Sequence, residues 1–320
     1  MKNTLRILLV VLALLLAASA CAEGLTNVTM AFCTWTGYAP MFIAKGNGYF
    51  EEAGLNMDIQ VIEDESTYAA LITTGNIDFL ATAQDPNIKM FANGAASRYV
   101  LAMDASCGAD GLVATADIAT LDDLAGKTLA LDKSASSYYF FLTALENGSS
   151  LTEADINVMD MGDTTEAGLA FMSGSVDAAI MWEPELSEAL AIEGAHTLVT
   201  SADYPETIMD SLVVNSKLAE EKPEIVQAVA ECWYKAVDFM NENPEAAYEL
   251  MASGFDEVTA EDVAADKEGL KFFGREENAA LNDAATERSI FAISQDMADF
   301  WMAKGECDTN DISEFFALVK

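Results

Sequence analysis

Ser66 to Ala81 reads STYAALITTGNIDFLA, and Thr165 to Ile180 reads TEAGLAFMSGSVDAAI. Laid over one another they bring Gly75 onto Gly174, a shift of 99 residues, and each spells a helix, a glycine stop, then Ile-Asp or Val-Asp opening a strand. Glycine suits the left-handed position that follows a helix C-terminus, and the runs IDFLATA and VDAAIMW suit buried strands. Carried upstream, the same shift sets NVTMAFC on GKTLALD, TWTGYAP on KSASSYY, MFIAKGNGYF on FFLTALENGS, and LNMDIQVIE on ADINVMDMG. Both copies run strand, loop, helix, strand, helix, strand, the alternation of parallel βαβ units. The predicted fold is therefore α/β with two lobes built alike. Ligands of such sheets bind beyond the carboxyl ends of the strands, so the loops after each strand are where function is expected, facing each other across a cleft.

After Ser201 the pattern changes. SLVVNSKLA reads as a strand returning toward the first lobe, and from Pro223 the chain is predicted to be nearly all helical. Pro223 and Pro244 stand where a first helical turn begins, each followed by a glutamate at the positive end. Ile225, Val226, Val229, Trp233, Val237 and Met240 recur at helical spacing and form a core stripe. ERSIFAISQDMADFWMAKG and DISEFFALVK are expected to be further amphipathic helices.

The 320 residues include 16 Lys+Arg against 53 Asp+Glu, a formal net charge of −37 that excludes a generic nucleic-acid binder. With 52% hydrophobic residues and only 6 Pro, the chain is a folded globule rather than an acidic tail. The single histidine, His196, removes every zinc site that needs two imidazoles, and neither a metal nor a cofactor is expected. Residues 1–22, MKNTLRILLVVLALLLAASACA, read as a secretory signal peptide whose apolar run is too short to span a bilayer. Two processing routes are open: Ala18-Ser19-Ala20 before Cys21 resembles a bacterial lipobox, with Cys21 as the lipid attachment site, while Ala20-Cys21-Ala22 fits simple A-x-A cleavage. By either route the product is extracytoplasmic, periplasmic or cell-surface, and by the first it is tethered to the membrane. Cys33, Cys107, Cys232 and Cys307 are widely spaced and read as isolated small hydrophobes.

Ala125-Gly126-Lys127-Thr128 lacks the glycine of a phosphate loop, since Leu121 stands where it is required, and no dinucleotide fingerprint exists. KSASSYYFF carries more. Ser134, Ser136 and Ser137, with Tyr138, lie where a strand ending near Asp132 meets a helix, and free N–H groups and hydroxyls there either hold an anion or cap the helix. A second terminus at Gly162 to Glu166 fits a capping box and offers Thr164 as a further donor. In the matching loop of the first lobe, Trp35, Thr36, Gly37 and Tyr38 form either an aromatic cleft wall or a core edge. Gln84, followed by Asp85, corresponds to Trp182-Glu183 within one residue across the shift; Glu183 either caps the helix after Pro184 or accepts a ligand amino group.

WTGYAPMFIAKGNGYFEEAGL, DASCGADGLVA, LDDLAGKTLAL and GSVDAAIMWEP, in that order, resemble the nitrate/sulfonate/taurine-type periplasmic binding proteins of ABC importers, a group also similar to binding proteins for thiamine-pyrimidine precursors. The resemblance implies a periplasmic-binding-protein type II fold: two lobes, each a mainly parallel sheet flanked by helices, two crossover strands, and a helical C-terminal segment packing on both. It places the crossings near Asp104 to Gly108 and Asp203 to Leu212, dividing the chain into 23–106 (first lobe), 107–205 (second lobe) and 206–320 (return and C-terminal helices). It implies a small-molecule ligand, permease transmembrane subunits and a separate ATPase as partners. Arginine is scarce, however: beyond the signal only Arg98, Arg275 and Arg288 exist, none in an expected cleft loop. That shifts the expectation toward a zwitterion or a neutral aromatic ligand, with Glu183 or Asp85 meeting a cationic end.

The leading functional expectation is a receptor that captures a solute by closing, without being an enzyme. Fungal synthases of the thiamine pyrimidine share the fold but need histidine and clustered cysteine, and here His196 is alone. A sensor that presents the closed lobes to a signalling partner would use the same residues.

Overall fold

The computed structural model describes residues 24–256 and 258–319, so the expected signal peptide and Cys21 lie outside the described residues. In chain order the strands are β1 (Thr26–Phe32), β2 (Leu55–Val61), β3 (Phe79–Ala83), β4 (Ser97–Ser106), β5 (Asp110–Ala114), β6 (Thr128–Leu131), β7 (Asn157–Asp160), β8 (Ala178–Trp182), β9 (His196–Thr200), β10 (Met209–Asn215) and β11 (Leu270–Phe272). They form two sheets, ordered β11-β4-β10-β3-β1-β2 and β7-β6-β8-β5-β9.

Read from β2 and from β7, the two sheets have the same plan. β1 is parallel to β2 and β3, as β6 is to β7 and β8. β10 runs antiparallel between β3 and β4, and β5 does so between β8 and β9. Each reversed strand is the one the chain enters on crossing: it leaves the first sheet at Ser106 and opens β5 at Asp110, then leaves the second at Thr200 and opens β10 at Met209.

The duplicated junctions explain why the halves fold alike. The helices Tyr68–Thr74 and Thr164–Met172 are followed by Gly75 and Gly174, both at φ 72, where a side chain would strain the backbone. The aspartate that follows then does the same work in each lobe. Asp78 Oδ2 accepts the N–H of Thr29 at 2.9 Å, and Asp177 Oδ2 accepts that of Thr128 at 2.8 Å. Each carboxylate ties the lobe's central parallel strand to the residue just before its neighbouring strand. β3 and most of β8 are buried on both faces, as their unbroken apolar runs require.

The C-terminal part packs on both lobes. The helix Pro223–Glu242 turns Ile225, Val226, Val229, Trp233, Val237 and Met240 into the first lobe's core. The helix Ile290–Lys304 bridges, with Ile293 and Met297 in a first-lobe cluster and Trp301 in a second-lobe cluster beside Tyr138. Two expectations are corrected. Leu270–Phe272 is a strand extending the first sheet, inside a region read as helical. DISEFFALVK forms a 3-10 turn, Ser313–Phe316, rather than an amphipathic helix, with Phe315 and Phe316 both buried in the first-lobe core.

Candidate functional site

Both crossings and the loops after the strands converge on one small cavity, of about 20 Å³, between the sheets. From the first lobe come Cys33, Trp35 and Tyr38 beyond the end of β1, Glu65 in the turn after β2, Ala83 at the end of β3, and Ile208 and Asp210 at the second crossing. The second lobe supplies Asp110 at the start of β5, Ser136 at the first turn of the helix Ser136–Gly148, and Trp182 at the end of β8. Trp35 and Trp182 meet edge to face across the cleft, ring centres 6.3 Å apart at 72°.

Three carboxylates line this cavity and no Lys, Arg or His does. Glu65 accepts hydrogen bonds from Thr82 Oγ1 at 2.8 Å and from the Cys33 thiol at 3.5 Å. Asp210 accepts the Tyr38 hydroxyl, and directly opposite it on β4 stands Asp104, which accepts the Trp35 indole N–H at 3.2 Å. A Cβ at Gly37 would overlap Asp104 Oδ2 and the Trp35 indole nitrogen, so only glycine lets this turn close over the carboxylate. The second oxygens of Asp104, Asp110 and Asp210 are buried without a hydrogen-bond partner.

Such desolvation favours the protonated acid. Burial, helped by the charge of Asp132, pushes Glu65 up to about 8. Burial, then the charges of Asp210 and Glu183, pushes Asp110 to about 8. Asp104 and Asp210 both titrate above the ordinary aspartate range, from burial and, for Asp104, from its neighbour's charge. The same burial beside Glu65 and Glu63 holds Cys33 as a neutral thiol.

Of the residues singled out from sequence, Trp35, Tyr38, Ser136 and Trp182 reach the cavity. Gly37 packs behind it, and Thr36 is turned away to donate to Asp266 at 2.6 Å. Gln84 is buried elsewhere, bonded to Ser294 at 2.7 Å and to Ser211, where it fastens β3 and β10 to the C-terminal bridging helix. Asp85 lies beside it, buried and outside the cavity lining. Ser134 donates to Asp132 Oδ1 at 2.7 Å and Ser137 to the Asp132 carbonyl at 3.1 Å, so both hydroxyls are spent on the turn that starts the helix. Tyr138 donates to Glu153 at 2.8 Å. Thr164 is buried with its hydroxyl unpartnered, away from the cavity lining. Glu183 caps the next helix, accepting the Ser187 N–H at 2.9 Å.

Sequence reading missed Cys33, Glu65, Asp104, Asp110 and Asp210. A signal for the last two exists. Asp110 opens DGLV and Asp210 opens DSLV. In the sheets Asp110 stands opposite Trp182 and Asp210 opposite Ala83, positions that the 99-residue repeat already equates. A charged residue heading an otherwise apolar buried strand is costly unless something answers it.

The family model described as NMT1/THI5 like matches residues 35–247. The chain is similar to a protein of Bacillus subtilis (strain 168) described as an aliphatic sulfonates-binding protein, 27% identical over 270 residues and covering 82% of this chain and 77% of the relative. It is also similar to the taurine-binding periplasmic protein of Escherichia coli (strain K12), 22% identical, with 68% of each chain covered. Among solved structures, the periplasmic aliphatic sulphonate-binding protein SsuA from Escherichia coli superposes with a TM-score of 0.72 at 21% identity, covering 92% of this chain and 98% of that one.

Proposed function

Since this chain belongs to the NMT1/THI5-like family, we propose that it is the extracytoplasmic solute-binding component of an ABC importer, capturing a small organic solute between its lobes and delivering it to a membrane permease driven by a separate ATPase. The observation that carries this reading is the cavity itself: aromatic and polar side chains from both sheets face one small space where the two crossings meet. A ligand there touches both lobes only when they are shut, so binding favours the closed form. The lining argues for capture rather than bond-making, because Cys33 is a neutral buried thiol and His196 lies on β9, outside the lining. Residues 1–22 supply export, and no helix among the described residues is long and apolar enough to cross a membrane.

The test is direct. The exported chain is dialysed, exposed to a low-molecular-mass metabolite extract, repurified and denatured, and the released solute is identified by mass spectrometry alongside small-angle scattering of the loaded protein. The expected result is one stoichiometric solute and a smaller radius of gyration than for the dialysed protein. Absence of any bound solute, with scattering unchanged, would overturn the reading.

A further inference from the structure

Building on the solute-binding reading, we propose that the cleft selects a compact organic cation whose charged end carries N–H donors, an amidinium or a primary ammonium, and that this cation holds the lobes shut. Glu65, Asp110 and Asp210 line the cavity, with Asp104 behind them, and no cationic side chain offsets them. Asp110 and Asp210 are 1% and 3% exposed, and each keeps one oxygen without a donor. Their other neighbours are already committed: Tyr38 donates to the first oxygen of Asp210, and the Trp35 indole donates to Asp104. Each open oxygen carries the acid's proton or, once that proton is displaced, accepts a donor from the ligand. A sulfonate would bring three further acceptors and a negative charge into the same space, where nothing repays its desolvation.

The distribution over the two lobes matters as much as the count. Asp110 belongs to the second sheet and Asp210 to the first, at equivalent places in the repeat. Closing an empty cleft forces these acids to take up protons; closing it on a cation lets them stay ionised with the cation between them. Burial holds Glu65 and Asp110 near 8, so the empty cleft carries protons that an entering cation displaces. Trp35 and Trp182 add aromatic faces, which attract organic cations and favour a flat amidinium or ring-borne amine. In this structure the space is about 20 Å³, room for about one water, so the lobes part to admit the cation and close less far around it.

The experiment is a thermal-shift series on the exported chain at neutral pH with benzamidine, agmatine and 1,4-diaminobutane, set against benzamide, benzenesulfonate, taurine and tetramethylammonium. At least one of the three N–H cations is expected to raise the melting midpoint by about 2 °C or more, with no shift from the neutral, anionic or quaternary compounds. Asp110→Asn and Asp210→Asn, each still melting cooperatively, are expected to weaken that cation by about tenfold or more, the scale of a lost charge-assisted bond. A shift with taurine or benzenesulfonate and none with the cations overturns the cation assignment and leaves solute capture standing. Cation binding undiminished in both variants also overturns it. Flat curves with every compound, together with no solute recovered from the metabolite extract, count against both readings.

Discussion

At Asp110 and Asp210 the chain places carboxylates at the heads of two apolar strands, each with an oxygen left without a donor. Groups held protonated by burial leave a signature in the pH dependence of stability. Unfolded carboxyls titrate near 4, whereas Glu65 and Asp110 titrate at about 8 in the fold, so between these values the folded chain binds more protons than the unfolded one. Stability is therefore fullest below about pH 4 as far as these groups are concerned, and is lost as pH rises toward about 8. The general repulsion of a −37 chain pulls the same way, so the variant carries the test. Asp110→Asn, followed by thermal melts without ligand from pH 5 to pH 8.5, is expected to show a flatter decline than the parent and to match or exceed it at pH 8.5; parallel curves would count against a buried, protonated Asp110. On the ligand side, Trp35→Ala and Ser136→Ala are each expected to weaken binding by at least about 1 kcal/mol, measured by calorimetry with the recovered solute. Ser136 is the most informative of the serines, because Ser134 and Ser137 already satisfy Asp132.

The helix-to-strand junctions are where the duplication becomes a physical claim. Asp78 and Asp177 each satisfy a strand N–H that would otherwise be left short of a partner, and Asp78 also accepts the Thr29 hydroxyl at 3.1 Å. Asp78→Ala and Asp177→Ala are expected to destabilise the protein by about 1–3 kcal/mol each, read from urea denaturation, the usual cost of orphaning a partly buried donor. Unequal losses, with one near zero, would show that the lobes are alike in outline only. These junctions were legible because local chemistry sets them: a glycine at positive φ, then an aspartate, then an apolar run. Trp35, Tyr38, Ser136 and Trp182 were legible as cavity-lining candidates for the same reason, standing at or just beyond strand ends. Glu65, Asp104, Asp110 and Asp210 were not, because their role comes from contacts as distant as Tyr38 with Asp210, which no local window contains. The C-terminal turn at Phe315 and Phe316 failed likewise, its shape being set by the core it plugs rather than by its own period.

For the whole molecule, what matters is how two like sheets and one bridging segment make a cleft that can shut. The strands reversed in each sheet are those the chain enters at the crossings, so the crossings and the cavity lining share Asp110, Ile208 and Asp210. Ser294, through Gln84, and Trp301, at different points of the helix Ile290–Lys304, link that segment to the first and second lobes respectively. The overall charge was readable from composition, and the scarcity of arginine already argued against an anionic ligand; only the fold could bring the acids of both lobes to a single space. The most direct measurement is a crystal structure with benzamidine. We expect the ligand to part Trp35 from Trp182, with its N–H groups about 3 Å from Asp110 and Asp210 and both lobes in contact with it. Benzamidine bound outside this space, or held by one lobe with the other swung away, would contradict the account.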